Sequence, residues 1–371
     1  KPVDIDTNDA VRQDYRRKAA EVYNKRADSF RRSCRTRMTM EAVKLFKDKD
    51  QFYVPHSFDY RGRMYPVPSF LTMQDTDFGK SLIKFKDSAK LNKDAEDWLS
   101  FQVATTYGLD KKTIKARIAE DPIGCLPEWE AADEPWMFLA ACDEYYHCCI
   151  KHDRDFTSLP CSVDATCSGL QILAGLCRDA STARQVNVLP SDRVQDAYAV
   201  IAEAAKSAVP AAIAPHMDRS TVKRVVMTIP YNAKPHSNRG YIKEALKAKG
   251  VEIEKDDLTA TVSAVRDVMS QEFPGPMAVM KWFEDEVSKA IKRGETQIQW
   301  TTPSGFVVTQ KLMKKQIVRI TLQLLGRVNM RVAVADSNKV DINHHKNATA
   351  PNVIHSLDAS LLHLASLRFD H

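Results

Sequence analysis

No run of apolar residues in this chain approaches the ~20 that a helix needs to cross a bilayer, so no stretch reads as a membrane span. Cysteine pairs of the C-x-x-C kind are also missing. The eight cysteines, at positions 34, 125, 142, 148, 149, 161, 167 and 177, are irregularly spaced. That spacing argues for reduced, mostly buried thiols of an intracellular protein. Cys142, His147, Cys148 and Cys149 are neighbours in sequence, but helical packing accounts for them better than zinc. The opening residues, KPVDIDTNDAVRQDYRRKAA, have the pattern of neither a signal peptide nor a transit peptide. No internal repeat and no low-complexity tract is present. Charge of one sign is scarce: Lys+Arg 54 against Asp+Glu 48 leaves +6, which permits a polyanionic partner without requiring one. At 371 residues the chain is long enough for two or three lobes with sizeable cores.

What is present is organised around CSVDATCSGLQILAGLCRD, residues 161–179. Ser158–Val163 reads as a short strand bounded by Pro160. From Ser168 the apolar positions Leu170, Ile172, Leu173, Leu176 and Cys177 predict a helix, with a small polar residue at 166–169 to cap it. Asp164 then sits where a strand gives way to a tight turn, and such a carboxylate projects into a cleft. Capping of the turn is the structural alternative. A second stretch, MDRSTVKRVVMTIPYN (217–232), predicts a helix capped by Asp218 or Ser220 with Arg219 and Lys223 one turn apart on one face. Two cations at a helix start oppose the macrodipole, and an anion between them removes the difficulty. Solvated surface cations are the alternative.

The remaining elements follow from pattern. Asp9–Lys49 is basic and helical, a solvated face or a phosphate-tracking one. In FYVPHSFDYRGRMYPVPSF (52–70) prolines exclude long helix. There Phe58, Tyr60, Tyr65 and Phe70 interleave with Arg61 and Arg63, as in surfaces that stack bases and grip phosphates, or as in a proline-rich turn with an Asp59–Arg salt bridge. Helical spacing covers Asp77–Tyr107, Asp133–Lys151 (with Trp136 and Phe138 as core), Pro190–Val209 capped at Ser191/Asp192, Asp256–Gln271, and Met277–Arg293 after a break at 274–276. Residues 297–310 alternate around a Pro-Ser-Gly turn and predict a β-hairpin. A basic segment with strand-like runs follows (Lys311, Lys314, Lys315, Arg319, Arg327, Arg331). The last piece predicts a loop and then a helix from about Pro351, with His355, Asp358 and His363 near one face.

Taken together these stretches resemble the single-subunit DNA-directed RNA polymerases of bacteriophage and mitochondrial type, from about Phe52 to the end of the chain. DYRGRMYP (59–66) resembles the family's Asp-x-Arg-Gly-Arg segment. VDATCSGLQ with RD (163–171, 178–179) resembles its motif A. RSTVKRVVMTIPYN (219–232) resembles motif B, and PNVIHSLDASLL (351–362) resembles a segment carrying a nucleotide-side histidine. The resemblance implies a mainly helical α+β fold, a right-hand polymerase palm and fingers with a small antiparallel palm sheet. Residues 1–50 would be a helical N-terminal segment at the end of the thumb, 51–190 palm and 191–296 fingers. Residues 297–343 would be a specificity-loop-like hairpin, with Lys315 and Arg319 as promoter contacts, and 344–371 a return to the palm.

It further implies DNA-templated RNA synthesis from NTPs by two-metal nucleotidyl transfer. Asp164 with the carbonyl of Ala165 would hold Mg²⁺, two ions in the complete enzyme. Arg219 and Lys223 would neutralise the triphosphate. Tyr231 would sit against the incoming base pair and sense the ribose 2′-OH, which separates RNA from DNA precursors, and His355 would hydrogen-bond in the same region. Asp59, Arg61, Arg63 and Tyr65 would hold template or hybrid. Expected partners are double-stranded promoter and template DNA, the RNA transcript and NTPs, with no membrane, for a monomer. The expected setting is the cytoplasm of a phage-infected host, or alternatively the mitochondrial matrix.

The sequence departs from the family pattern at Ala165 and Asn232, both usually glycine, and at Pro230, which should end the motif B helix and leave Asn232 as a left-handed cap. The family's second metal-binding Asp lies C-terminal to the His355 segment, whereas the chain ends at His371 and Asp370 sits in no such motif. The rival readings are a family A-like DNA polymerase and a non-catalytic nucleic-acid-binding remnant. One carboxylate does not hold two Mg²⁺, so the 371-residue chain alone is expected not to polymerise. Template-directed RNA synthesis by this chain, assayed with labelled NTPs, would refute that.

Overall fold

Asn8 starts the first helix, its side chain accepting from the amides of Ala10 and Val11, and α1 then runs Asp9–Phe46. The structure, a computed structural model, describes residues 1–2, 4–108, 126–322 and 328–369; Cys125, Arg327, Asp370 and His371 lie outside them. The chain divides into two compact units, residues 1–57 with 65–163, and residues 58–64 with 164–371. Thr39 is the one buried position of α1. Exposed i,i+3 and i,i+4 pairs such as Lys18–Asp14 and Lys44–Glu41 are screened by water and add little. The anchor is Asp75, whose side chain is fully buried. It accepts from Arg35 and Thr39 on α1 and from the amides of Leu71 and Thr76. Burial would raise this carboxyl, but these donors hold it below the ordinary range.

The rest of the first unit corrects several expectations. The helix expected over Asp77–Tyr107 is two helices, α2 (Asp77–Ser81) and α3 (Lys93–Tyr107). Asn92 caps α3 by accepting from the amide of Ala95, and Gly108 at φ +90° closes it. Between them β3 (Ala89–Lys90) pairs antiparallel with β4 (Phe156–Thr157). The strand expected over Ser158–Val163 does not form. Pairing stops at Thr157, Pro160 has no N–H to extend a ladder, and Ser162 instead donates its amide to the Gln102 side chain. α4 (Pro135–Tyr145) continues into a π-helical turn, Tyr146–Ile150. Phe138 is buried as expected, with Leu99, Val103 and Ala141 around it. Trp136 is not core. It lies in the first turn of α4, 43% exposed, edge-on to Phe78. All seven described cysteines are free thiols, and burial pushes the Cys149 thiol up to about 12.

In the second unit the helix at Ser168 forms as expected, α5 (Ser168–Cys177), with Leu170 and Leu173 inside. Its N-cap is Cys167 with no side-chain hydrogen bond, so no small polar residue caps it. α6 (Ala180–Gln185) follows. α7 spans Ala197–Ala205 and is capped by Asp196, not by Ser191/Asp192, because the Ser191 hydroxyl turns back to donate to the carbonyl of Arg193. α8 (Arg219–Thr228) is capped by Asp218, as read from the sequence. A 3₁₀ turn, Ile229–Tyr231, carries Pro230, and Asn232 takes the left-handed conformation (φ 61°, ψ 32°). α9 (Pro235–Ala248), α10 (Lys255–Glu272) and α11 (Pro274–Lys292) follow. The break expected at 274–276 falls at Phe273, since prolines in a first helical turn remove no intrahelical donor. Leu170, Ile201, Val222, Val225, Ile242 and Met269 share this unit's core.

The hairpin expected at 297–310 is β5 (Ile298–Thr301) with β6 (Val307–Gln310). The basic segment forms a second antiparallel pair, β7 (Met313–Leu322) and β8 (Val328–Val340), with Lys315 paired to Asp336. β1 (His56–Phe58) and β2 (Met64–Pro66) form a fourth two-stranded sheet. The final helix, α12, spans Ile342–Phe369 and starts nine residues before Pro351 rather than at it. Two interactions support the part ahead of the proline. Asp341 accepts from the amide of His344, and Asn232 Nδ2 donates to the carbonyl of Asn347 (3.2 Å). That carbonyl is the one whose i+4 partner is Pro351, which has no N–H. Buried His345 accepts at Nε2 from the amide of Leu312 (3.0 Å) and faces Gln310, which joins Thr349 and Asn352. The fold is thus mainly helical with small antiparallel sheets, as the sequence implied. No helix among the described residues is long and apolar enough to cross a membrane.

Replacing Asp75 with Ala strips α1 of its buried acceptor. A loss of about 2–3 kcal/mol is expected, read by urea unfolding, together with faster proteolysis within 9–46.

Candidate active site

Asp59 organises the turn at residues 59–63. Its carboxylate accepts from the amides of Arg61 (2.8 Å) and Arg63 (3.1 Å) and from the Arg61 side chain at Nε (2.9 Å) and Nη2 (2.6 Å). Burial opposes ionisation, but the Arg61 hydrogen bonds hold the carboxyl below its ordinary range. Gly62 has φ +88°, and a Cβ there would lie 3.1 Å from the Phe306 ring, so both backbone and space favour glycine. Arg61 then reaches α12, where its Nη1 donates to His355 Nδ1 (2.7 Å). Arg63 grips Asp358 with two nitrogens. His355 and Asp358 are three residues apart in a helix and so share a face.

An arginine can only donate, so His355 Nδ1 is an acceptor and the ring proton resides on Nε2. Burial first, then the adjacent Arg63 and Arg61, press the His355 pKa down to about 4. The imidazole is therefore neutral near pH 7. Against it stacks Tyr231, ring centroids 5.1 Å apart and planes 30° from parallel. The Tyr231 hydroxyl meets Ser168 Oγ at 3.1 Å, at the start of α5. Burial raises the phenol pKa, so it stays protonated. This approach requires Gly169, where a Cβ would come within 2.9 Å of Pro230 Cβ and 3.3 Å of the Tyr231 ring.

The other expected site residues are exposed. Asp164 and Ala165 lie in the extended approach to α5, exposed, and Asp164 has no hydrogen-bond or ion-pair partner among the described residues. The adjacent loop is held by Tyr198, whose hydroxyl donates to the carbonyl of Thr166 (2.9 Å). Arg219 does not point freely outward. Its Nε donates to Asp196 (2.8 Å) and its guanidinium sits 5.3 Å from the centre of the Tyr198 ring. Lys223 is exposed and makes no ion pair among the described residues. Asp218 is held well below the carboxylate range despite burial, chiefly by Lys249. Tyr65 belongs to the first unit and is exposed.

Asp59, Arg61, Arg63, Tyr231 and His355 thus form one connected group, while Asp164, Arg219 and Lys223 are not joined to it by any described hydrogen bond. Sequence reading missed Ser168 as a partner of Tyr231, Asp358 as a partner of Arg63, and Asp196 as a partner of Arg219. The i,i+3 spacing of His355 and Asp358 was the available signal for Asp358. No cluster of three or more His, Cys, Asp or Glu able to hold a metal occurs among the described residues. Asp164 with the Ala165 carbonyl offers two oxygen donors of the kind Mg²⁺ takes. Mg²⁺ commonly binds through one or two carboxylates and completes its octahedron with water and substrate phosphates, so the donors fit that ion.

A family model described as DNA-dependent RNA polymerase matches residues 89–371. The DNA-directed RNA polymerase of Enterobacteria phage T3 is 28% identical over an alignment covering 98% of this chain and 49% of the phage protein. The phage K11 enzyme is 27% identical, with 98% and 48% covered. DNA-directed RNA polymerase 1, mitochondrial, of Arabidopsis thaliana is 30% identical, with 88% and 37% covered. The chain spans about half the length, or less, of these curated relatives.

The depressed His355 pKa sets a pH dependence. The unfolded imidazole binds a proton below about 6.5 and the folded one only near 4. The stabilising contribution is therefore complete above pH 6.5 and lost as pH falls towards 4. His345, also depressed by burial, acts in the same direction, whereas Asp59 and Asp218 act at lower pH. Unfolding free energy measured from pH 7 to 4 should fall less steeply in His355→Gln than in the wild type.

Proposed function

The chain belongs to the single-subunit DNA-dependent RNA polymerase family, and from that premise we propose that it carries the nucleotide-binding part of a transcription site. The reaction is DNA-templated attack of an RNA 3′-hydroxyl oxygen on the α-phosphorus of an NTP, forming the phosphodiester and releasing pyrophosphate. In this reading residues 51–190 act as palm, 191–296 as fingers and 297–343 as a promoter-reading hairpin with Lys315 and Arg319. The partners are promoter and template DNA, transcript and NTPs, for a protein working as a monomer in a phage-infected cell or, alternatively, a mitochondrion.

The observation that carries the reading is the neutral His355 held by Arg61 and stacked on Tyr231. Its Nε2–H is a donor of fixed tautomer, suited to a ribose hydroxyl, while the Tyr231 ring offers a face to the incoming base pair. Tyr231 and His355 together would favour the 2′-OH of an NTP. Lys223, which makes no ion pair among the described residues, would be the cation for triphosphate oxygens. Arg219 joins it by exchanging Asp196 for phosphate, keeping the α8 N-terminus as the anion-binding end. Asp164 and the Ala165 carbonyl would hold Mg²⁺, which would supply neutralisation of phosphate charge during the transfer. Asp59, Arg61 and Arg63 would shape the floor beneath a template or hybrid, the two guanidinium groups turned to Asp59, His355 and Asp358, and Tyr65 would be a template or hybrid contact.

Titration of the chain with ATP, with and without Mg²⁺, tests this. Asp164→Asn should abolish the Mg²⁺-dependent gain in affinity, a loss of about tenfold or ~1.4 kcal/mol. Wild type should bind ATP more tightly than dATP, and Tyr231→Phe should bring the two closer together. An unchanged Mg²⁺ dependence in Asp164→Asn would overturn the metal assignment, and a preference for dATP would favour a DNA polymerase.

A further inference from the structure

We propose that Asn232 is a positioning residue, whose carboxamide ties Tyr231 to the helix bearing His355 and so sets the stack between the two rings. The family resembled in sequence usually has glycine here, which supplies left-handed freedom but no side chain.

The left-handed conformation of Asn232 (φ 61°) turns its side chain towards α11 and α12. Nδ2 donates to Glu284 Oε1 (3.1 Å) on α11 and to the carbonyl of Asn347 (3.2 Å) on α12. Oδ1 accepts from Lys234 Nζ (2.8 Å), which also lies 3.7 Å from Glu284. A carboxylate and a carbonyl can only accept and an ammonium can only donate. The amide therefore has one possible orientation, with both N–H groups and its oxygen engaged.

The acceptor on α12 exists because of a second residue. Pro351 has no N–H, so the Asn347 carbonyl lacks its helical donor, and the Asn232 N–H takes that place. Asn347 lies about two turns before His355 on the same helix. Asn232 is bonded covalently to Tyr231, so the clasp fixes the position of the phenol ring along α12. Without it, the described contacts left to hold the ring are the His355 stack, the Ser168 hydroxyl and the packing against Gly169. Two sequence oddities, a proline within a helix and an asparagine in place of glycine, thus form one device.

The consequence for ribose selection rests on the function proposed above; the clasp itself does not. Asn232→Gly is the informative variant, since glycine keeps the left-handed backbone and removes only the carboxamide. Imidazole ring-proton NMR signals of His355, shielded by the Tyr231 ring, should move downfield in Asn232→Gly, and the His355 titration midpoint should rise from about 4 towards 6.5. Binding of ATP should weaken at least threefold, while dATP, which lacks the 2′-OH, keeps its affinity. Pro351→Ala restores a helical donor that competes for the Asn347 carbonyl. It should shift the same signals, and the double variant should move them by less than the sum. Glu284→Gln, which retains an acceptor facing Nδ2, should keep wild-type ring signals. Unmoved His355 signals in Asn232→Gly, or additive shifts in the double variant, would overturn the proposal. Shifted signals with an unaltered ATP-to-dATP ratio would uphold the clasp and overturn the ribose reading it serves.

Discussion

One hydrogen bond, from Arg61 Nη1 to His355 Nδ1, constrains everything around the candidate site. Because guanidinium cannot accept, the bond demands an unprotonated Nδ1, and with it a neutral ring whose proton is on Nε2. Asp59 makes the bond possible by neutralising Arg61 from the other side and by holding its backbone in the turn. Arg63 does the same for the helix with Asp358. A cation beside a histidine would ordinarily be a poor arrangement. Here it keeps the imidazole neutral, and a neutral imidazole can lie flat against Tyr231 without burying a charge.

Prolines shape the second unit by what they cannot donate. Pro235 and Pro274 occupy first helical turns, where the missing N–H costs nothing. Pro230 comes at the end of α8, forces a 3₁₀ turn and presents Tyr231 just past the helix. Pro351 alone is interior, and the carbonyl it orphans is answered from a different element.

Local rules made much of this legible. The Asp218 cap, the end of α8 at Pro230, the left-handed Asn232, the 298–310 hairpin and the α5 register all follow from short-range sterics and period. Misreadings arose where a nearby polar side chain offered the backbone another partner. Asn92 divided a helix, Ser191 turned back to the Arg193 carbonyl and left the cap to Asp196, and Asp341 began α12 well before Pro351. The strand ahead of Asp164 failed because Pro160 has no N–H for a ladder and the Ser162 amide is taken by the Gln102 side chain.

The residue types at the site, and the family they point to, were settled by sequence alone: a carboxylate before a helix, two cations a turn apart, and a tyrosine after a proline. The local backbone states at Arg219, Lys223 and Tyr231 were settled there too, since each depends on neighbours within a few positions. Only the tertiary structure decided which of them touch. Arg61 meets a histidine 294 positions away and Tyr231 a serine 63 positions earlier. Arg219 is already engaged by Asp196, while Asp164 stands exposed. Such pairings, and the pKa of His355 that follows from them, come from burial and from charges brought together by folding, to which no local pattern in the chain corresponds.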